Sequence, residues 1–248
     1  MVRPKVGPQL SGLYPPENLY VRGTPRSGTL NLVGRAIQFA RGALLSFGPQ
    51  AIKRRVWDSE YRRDMWRFRD HTVGDCVYCH LETHTHHGSI LDLGCGSGNT
   101  ATELSDGAYA SYLGVDISEA ALEKAAQRSA ESGRDGKNRF ARADFLDWRP
   151  PSEQFDVILF RESMYHVPLS KVKAVLNRYA TNLKAGGVFI VRVFAANKET
   201  AEIKHRPNAM LRLIEDEFDV VEKRRYETSG RPTVIVFRPK EERVKKTG

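Results

Sequence analysis

The chain has 248 residues, 40% of them hydrophobic, which suits one large domain with an appendage and a sizeable core. It has no run of about 18 apolar residues and no apolar signal core at its start, so neither a membrane-spanning helix nor export is expected. Three cysteines make no disulfide framework, and the expected compartment is the cytoplasm.

The net charge of +9 is unevenly spread. Residues 1–57 carry nine Lys/Arg and one acid, Glu17, while residues 58–248 carry thirty Lys/Arg against twenty-nine acids. A basic balance raises nucleic acid as a partner. The surplus is confined to the leader, however, and no RNA-binding module signature is present, so nucleic acid is not the expected partner.

Residues 1–28 contain five prolines and several glycines and are expected to lack regular structure. Residues 29–56 read as a basic amphipathic helical segment. Val33, Ile37, Ala40, Leu44 and Phe47 form one stripe, with Arg35 opposite it and Lys53, Arg54 and Arg55 following. That pattern suits either packing on the chain's own domain or peripheral contact with an anionic membrane surface, on the inner side of the membrane. The remainder, 57–248, reads as one domain. It opens with a helix, Trp57-Asp-Ser-Glu-Tyr-Arg-Arg-Asp-Met-Trp-Arg-Phe68, and a second helix is expected from Asp70 to Glu82.

The second helix contains Cys76-Val-Tyr-Cys-His80, with His84, His86 and His87 beyond it. The spacing matches haem attachment and suggests zinc. Haem attachment needs export, and a tetrahedral set would need a helical pair and a polar connector to converge. No metal is expected, and the segment reads as a surface helix.

An apolar run, Ile90 to Leu93, then carries one acid, Asp92, and breaks into Gly94-Cys-Gly-Ser-Gly98 before a helix start at Asn99. Strand, glycine turn and helix form the first half of a nucleotide-binding βαβ unit. The next run ends in Asp116, where such a unit holds a ribose. A helix follows over Ser118–Ser132. A third run ends in Asp144, and a fourth, Phe155 to Phe160, leads into Arg161-Glu-Ser-Met-Tyr-His166. Helices are expected at Leu169–Leu183 and Pro207–Glu217, with strands at Leu183 to Val191, Phe218 to Tyr226 and Thr233 to Arg238. Alternating strands and helices mean a parallel sheet covered on both faces.

From about Trp57 to Arg238 these motifs resemble the class I S-adenosylmethionine-dependent methyltransferases. The turn reads Asp-x-Gly-x-Gly-x-Gly rather than the Gly-x-Gly-x-x-Gly of dehydrogenases, and the closing hairpin matches the family's ending. The resemblance implies an α/β, Rossmann-like, doubly wound sheet of seven strands. That sheet is mostly parallel with an antiparallel C-terminal strand, and an N-terminal helical extension precedes it. The implied cofactor is S-adenosyl-L-methionine, its methionine portion over Gly94, Cys95 and Gly96 with Asp92 beside its cationic groups. Asp116 takes the ribose, Ile117 packs on the adenine, Asp144 and the Phe145 N–H bind its edge, and Arg161 joins the set. For Asp144 a helix cap or turn carboxylate is the competing reading.

The segment after the fourth strand lacks the Pro-Pro turn of nucleic-acid amino methyltransferases and the Pro-Cys of cytosine-carbon enzymes. It looks more like small-molecule members, including nodulation-type N-methyltransferases and enzymes acting on sugars. The expected acceptor is a hydroxyl or amine of a small molecule or glycan, lipid-linked sugars included. Glu162 and His166 are the candidate bases, with Tyr165 orienting the acceptor. A structural carboxylate paired with Arg161 or a helix terminus is the competing reading for Glu162, and a satisfied histidine under the following helix that for His166. The alternative functions are an RNA methyltransferase and a non-catalytic cofactor-binding protein.

Overall fold

The computed structural model describes residues 40–41, 45, 48–66, 72–150, 152–194, 206–228 and 231–240. The chain divides into two compact units, residues 1–43 and 44–248. Of the first, only Ala40 and Arg41 are described, both helical. The 1–28 leader and most of the 29–56 stripe therefore lie outside the described residues.

The second unit opens with helix α1, Gln50–Arg62. Pro49 precedes it with φ −58°, pre-set for a helix start. The helix runs unbroken through positions 56 and 57, where the sequence suggested one segment ending and another beginning. It also ends sooner than the pattern predicts, because Asp64 (φ 54°) turns the chain. Helix α2 is Val77–Thr85, shorter at its start than the expected Asp70–Glu82. Gly74 sits at φ 82°, and the Asp75 carboxylate accepts the Val77 N–H (3.0 Å), so the helix begins only there.

Seven strands follow: β1 Ser89–Leu93, β2 Ser111–Asp116, β3 Asn138–Arg142, β4 Phe155–Arg161, β5 Leu183–Val193, β6 Phe218–Arg225 and β7 Thr233–Pro239. They form one sheet in the order β3-β2-β1-β4-β5-β7-β6. The pairings among β1 to β5 are parallel, and β7 runs antiparallel to both β5 and β6. The helices between them are α3 Asn99–Glu103, α4 Glu119–Glu131, α5 Leu169–Ala180 and α6 Arg206–Glu217. This is the doubly wound, mixed seven-stranded sheet that the motif order implies.

All five residues of β1 are buried, as a central strand covered on both faces requires. Alternation along the strands then divides the core in two. Leu91, Leu93, Ile158 and Phe160 face Val172, Leu176 and Tyr179 of α5 and Ile214 of α6. Ile90, Val157 and Leu159 face Val77 and Leu81 of α2 and Ala101 of α3. Among the described residues no helix is long and apolar enough to cross a membrane.

The chain goes from β1 outward to β2 and β3, then returns to β4 on the other side of β1. This reversal opens a crevice at the carboxyl ends of β1 and β4, the place where open α/β sheets bind ligands. Asp92 and the glycine turn, Asp116, and Glu162 all stand at that edge.

Candidate active site

The turn after β1 is held by strand β2: Gly94 and Cys95 donate their N–H groups to the Val115 carbonyl at 2.8 and 3.1 Å. Gly94, Gly96 and Gly98 all take positive φ, 84°, 55° and 74°. The space their missing Cβ atoms leave is used by this chain's own side chains. A Cβ on Gly94 would stand 2.5 Å from Ser163 Cβ, one on Gly96 2.6 Å from the Tyr61 hydroxyl, and one on Gly98 2.8 Å from Ala125 Cβ. The turn thus gathers α1, α4 and the segment after β4 around one point. The Cys95 sulfur points under the turn, 2.8 Å from where a Gly114 Cβ would be, so the turn exposes backbone rather than thiol. Burial pushes that thiol's pKa up.

Asp92 is 1% exposed, and its Oδ2 accepts the Tyr112 hydroxyl at 2.7 Å. Its Oδ1 is buried without a hydrogen-bond partner. Burial pushes the carboxyl up to about 6, against the opposing influence of Tyr112, Arg161 and Thr100. Asp116 accepts the Gly96 N–H on Oδ2 and the Ser118 N–H on Oδ1, both at 2.9 Å. Burial raises its pKa, and these backbone donors oppose the rise. Ile117 beside it is half-buried.

Asp144 lies in the turn after β3, where its Oδ1 accepts the Leu146 N–H at 2.8 Å. That is the turn carboxylate of the competing reading, with Oδ2 left for another use. The Phe145 carbonyl is fixed by Arg178 and Tyr179 at 2.6 and 2.9 Å. Its ring packs on Phe160 and reaches the Gly94 position, 3.8 Å from a Cβ there.

Behind the β4 end lies a buried network of four charges. Arg161 donates to Asp75 at 2.7 Å, Arg192 pairs with the same carboxylate at 3.2 Å, and Arg192 also donates to Glu162. Asp75 is pushed up by burial and drawn down further by the two guanidiniums, leaving it below the usual carboxylate range. Glu162 therefore pairs with Arg192, not with Arg161. Its backbone is left-handed (φ 57°), a costly state for a non-glycine residue, and its N–H donates to the Arg192 carbonyl at 3.0 Å. Next along, Ser163 donates its hydroxyl to the Leu93 carbonyl, locking the β4 exit onto the β1 end.

Tyr165 and His166 pack with ring centroids 4.6 Å apart and planes tilted by 53°, and Trp57 of α1 meets the His166 ring edge-on at 5.5 Å. Trp57 in turn packs on Trp66 at 5.5 Å. Helix α1 thus covers both the glycine turn, through Tyr61, and the segment after β4, through Trp57. It is tied down by Asp58, which accepts from Ser118 Oγ (2.7 Å), and by Lys124, which donates to the Tyr61 carbonyl (2.9 Å).

The Cys-x-x-Cys-His segment is used otherwise. His80 is buried, with Nδ1 3.0 Å from Glu222 and Nε2 2.7 Å from the Tyr226 hydroxyl, which pins α2 to the β6 side of the sheet. Among the described residues no three His, Cys, Asp or Glu side chains are grouped to hold a metal.

The family profile described as "Methyltransferase domain" matches residues 90–187, from β1 into β5. Residues 90–187 carry a methyltransferase domain, and the sheet around them has the class I methyltransferase order. The domain's cofactor is S-adenosylmethionine. Among curated relatives, the sterol 24-C-methyltransferase erg-4 of Neurospora crassa is 25% identical over 153 residues, 57% of this chain and 40% of that protein. The 27-O-demethylrifamycin SV methyltransferase of Amycolatopsis mediterranei is 33% identical over 79 residues, 32% of this chain and 29% of that protein. The chain thus spans well under half the length of these relatives. The methyltransferase fold aligns with N-methyltransferase NodS from Bradyrhizobium japonicum in complex with S-adenosyl-L-homocysteine at TM-score 0.58 and 18% identity, covering 75% of this chain and 99% of that one. With magnesium protoporphyrin IX methyltransferase from Synechocystis, solved with S-adenosylmethionine bound, the TM-score is 0.54 at 20% identity, covering 81% and 96%.

In sequence Trp57, Tyr61 and Ser163 stand only as motif letters with no role assigned, and nothing singles out Asp75 or Arg192. Only the Trp57/Tyr61 spacing, one helical turn apart, marks a shared face in sequence. What that face covers is decided by residues far away in the chain.

Proposed function

We propose that the chain methylates a hydroxyl or amine on a small molecule or glycan, with Asp92, the Gly94–Gly96 turn, Asp116 and Asp144 holding the cofactor. One observation carries the reading. Asp92 stands in β1 just before the glycine turn, Asp116 at the end of β2 accepts a hydrogen bond from that turn, Asp144 lies in the turn after β3, and an aromatic helix lies over the glycine turn. The cofactor, when bound, supplies an activated methyl group on a sulfonium. The buried, unpartnered Asp92 Oδ1 suits the cofactor's cationic amino group. Asp116, fixed by two backbone N–H groups, keeps lone pairs for the ribose hydroxyls. Ile117 and Phe145 flank the adenine, Asp144 Oδ2 takes its amino group, and Arg161 lends positive charge near Asp92.

The acceptor side is the aromatic wall of Trp57, Tyr165 and His166. Flat rings suit the faces of a sugar or another ring system. Glu162 is committed to Arg192, so proton acceptance falls to exposed His166, and Glu162 keeps the β4 exit in place. Methyl transfer then relies mainly on positioning, which can remove several kcal/mol of barrier. An apolar acceptor of sterol type is a second reading, favoured by the fungal relatives and by exposed Met65 beside Trp66. Residues 29–56 remain, in this reading, a peripheral contact to an anionic membrane surface in the cytoplasm.

Incubation with methyl-labelled cofactor and separate fractions of glycans, amines, sterols and RNA tests this. Label in a glycan or amine fraction supports the main reading, and label in sterol supports the second. Label in RNA alone, or in none while the cofactor still binds, rejects both.

A further inference from the structure

The face of α1 turned away from the glycine turn has chemistry of its own. Arg55, Ser59 and Arg62 lie at i, i+4 and i+7, one above another on the helix, and Arg63 follows at the C-cap. With Asp58 they line a concavity of about 370 Å³. The three arginines are exposed, while Asp58 and Ser59 are half-buried.

Asp58, the one acid in this lining, is engaged elsewhere. Its Oδ1 accepts from Ser118 Oγ at 2.7 Å and the Ala120 N–H at 3.3 Å, and its Oδ2 faces Arg142 at 3.9 Å. Among the described residues, neither Arg55, Arg62 nor Arg63 has a carboxylate within ion-pair distance. By contrast Arg128, Arg134, Arg139 and Arg142 each have one. Basic side chains at a helix C-terminus complement the helix dipole, which accounts for Arg62 and Arg63 but not for Arg55, in the middle of the helix. Three guanidiniums around one hollow repel one another, and an anion with several acceptor oxygens removes that repulsion. Guanidinium forks match phosphate oxygens two at a time, and the Ser59 hydroxyl adds a donor in the same hollow.

We infer that Arg55, Ser59, Arg62 and Arg63 form a binding site for a phosphoryl group. The site is separate from the methyl-transfer cleft and stands whether or not the acceptor reading above holds. A phosphate ester in solution and a phospholipid headgroup present the same chemistry.

The test uses the full chain and two probes. Glycerol 3-phosphate is titrated calorimetrically, and vesicles of phosphatidylcholine with phosphatidic acid are sedimented, both at about 0.15 M salt. Two variants are compared: the triple change Arg55→Gln, Arg62→Gln, Arg63→Gln, and a charge-matched control, Arg149→Gln, Lys171→Gln, Arg212→Gln. The first should weaken binding of at least one probe by about tenfold or more, and the control by less than about twofold. Loss confined to glycerol 3-phosphate identifies a soluble ester, and loss confined to vesicles a lipid headgroup. A triple Arg→Lys variant, which keeps the charge but loses the forks, should fall between and serves if the Gln variant does not fold. Equal weakening in the Gln triple and the control, or no binding of either probe by the wild type, overturns the site.

Discussion

Asp92 and Tyr112 meet across neighbouring parallel strands, the tyrosine hydroxyl donating to a carboxylate that is 1% exposed. One oxygen is satisfied and the other is not. Such an arrangement costs stability whenever the carboxylate is charged, and it is the price of a negative group at the end of β1.

The folded pKa of Asp92, about 6, lies above its ordinary value of 3.8. The folded state therefore binds this proton more tightly than the unfolded chain does. The associated stability is fully present below the ordinary value and is lost as pH rises through about 6. A shift of that size corresponds to about 3 kcal/mol at most. Asp92→Asn, which keeps an acceptor for Tyr112, should raise the stability of the cofactor-free protein at pH 8 by ~1–3 kcal/mol. The gain should shrink toward pH 4, and cofactor affinity should fall. Urea melts across that range, with calorimetry of cofactor binding, check both. A variant less stable than wild type at pH 8 contradicts the account.

Asp75 should give the opposite slope. Arg161 and Arg192 hold its pKa below the usual range despite burial, so its contribution is present above the ordinary carboxylate value and is lost as pH falls. Asp75→Asn leaves two buried guanidiniums with Glu162 as their remaining carboxylate partner in the network. The expected loss near neutral pH is ~3–5 kcal/mol. Thermal melts at pH 7 and at a pH well below the ordinary carboxylate value of 3.8 should show the difference from wild type narrowing at the lower pH; a constant difference across that range would show that the ion pairs do not matter.

Tyr61 should act on the cofactor through its hydroxyl alone. The ring is carried by α1, and the oxygen lies over Gly96, 2.6 Å from an added Cβ. Tyr61→Phe keeps the ring and should weaken cofactor binding by about 1 kcal/mol, some fivefold, with the melting temperature nearly unchanged. Gly96→Ala should do more harm, because it meets that oxygen and also sits at φ 55°. Unchanged affinity in Tyr61→Phe removes this residue from the site.

The strands were legible because they are local, and the three acids were picked out by their places in local runs. A buried central strand reads as an apolar run, and a nucleotide turn as glycines after it. Asp92, Asp116 and Asp144 each follow from position within such a run. The partners were not legible. Sequence adjacency offers Arg161 as the partner of Glu162, yet Glu162 leaves β4 with a left-handed backbone whose N–H donates to the Arg192 carbonyl, and the guanidinium that reaches it is Arg192 on β5. Asp75 lies 86 residues from Arg161, and only the packing of α2 on the sheet brings them together. The start of α2 is not legible because helical spacing continues through Asp70–Cys76, while Gly74 at positive φ and the Asp75 carboxylate on the Val77 N–H delay the helix locally.

The last prediction separates Glu162 from His166. If His166 takes the acceptor proton, His166→Gln should lower kcat by about 10²-fold with a hydroxyl acceptor while cofactor affinity stays unchanged. Glu162→Gln should act differently. It strips a countercharge from Arg192, which is 3% exposed, so stability should fall along with kcat. Because Glu162 has φ 57°, Glu162→Gly relieves the backbone while removing the same charge. If the carboxylate serves only to hold Arg192, the glycine variant should recover part of the lost stability and keep measurable turnover. If the carboxylate itself takes the proton, both Glu162 variants should be inactive at any stability, and His166→Gln should turn over normally. Single-turnover rates beside urea melts for the three variants decide between the two assignments.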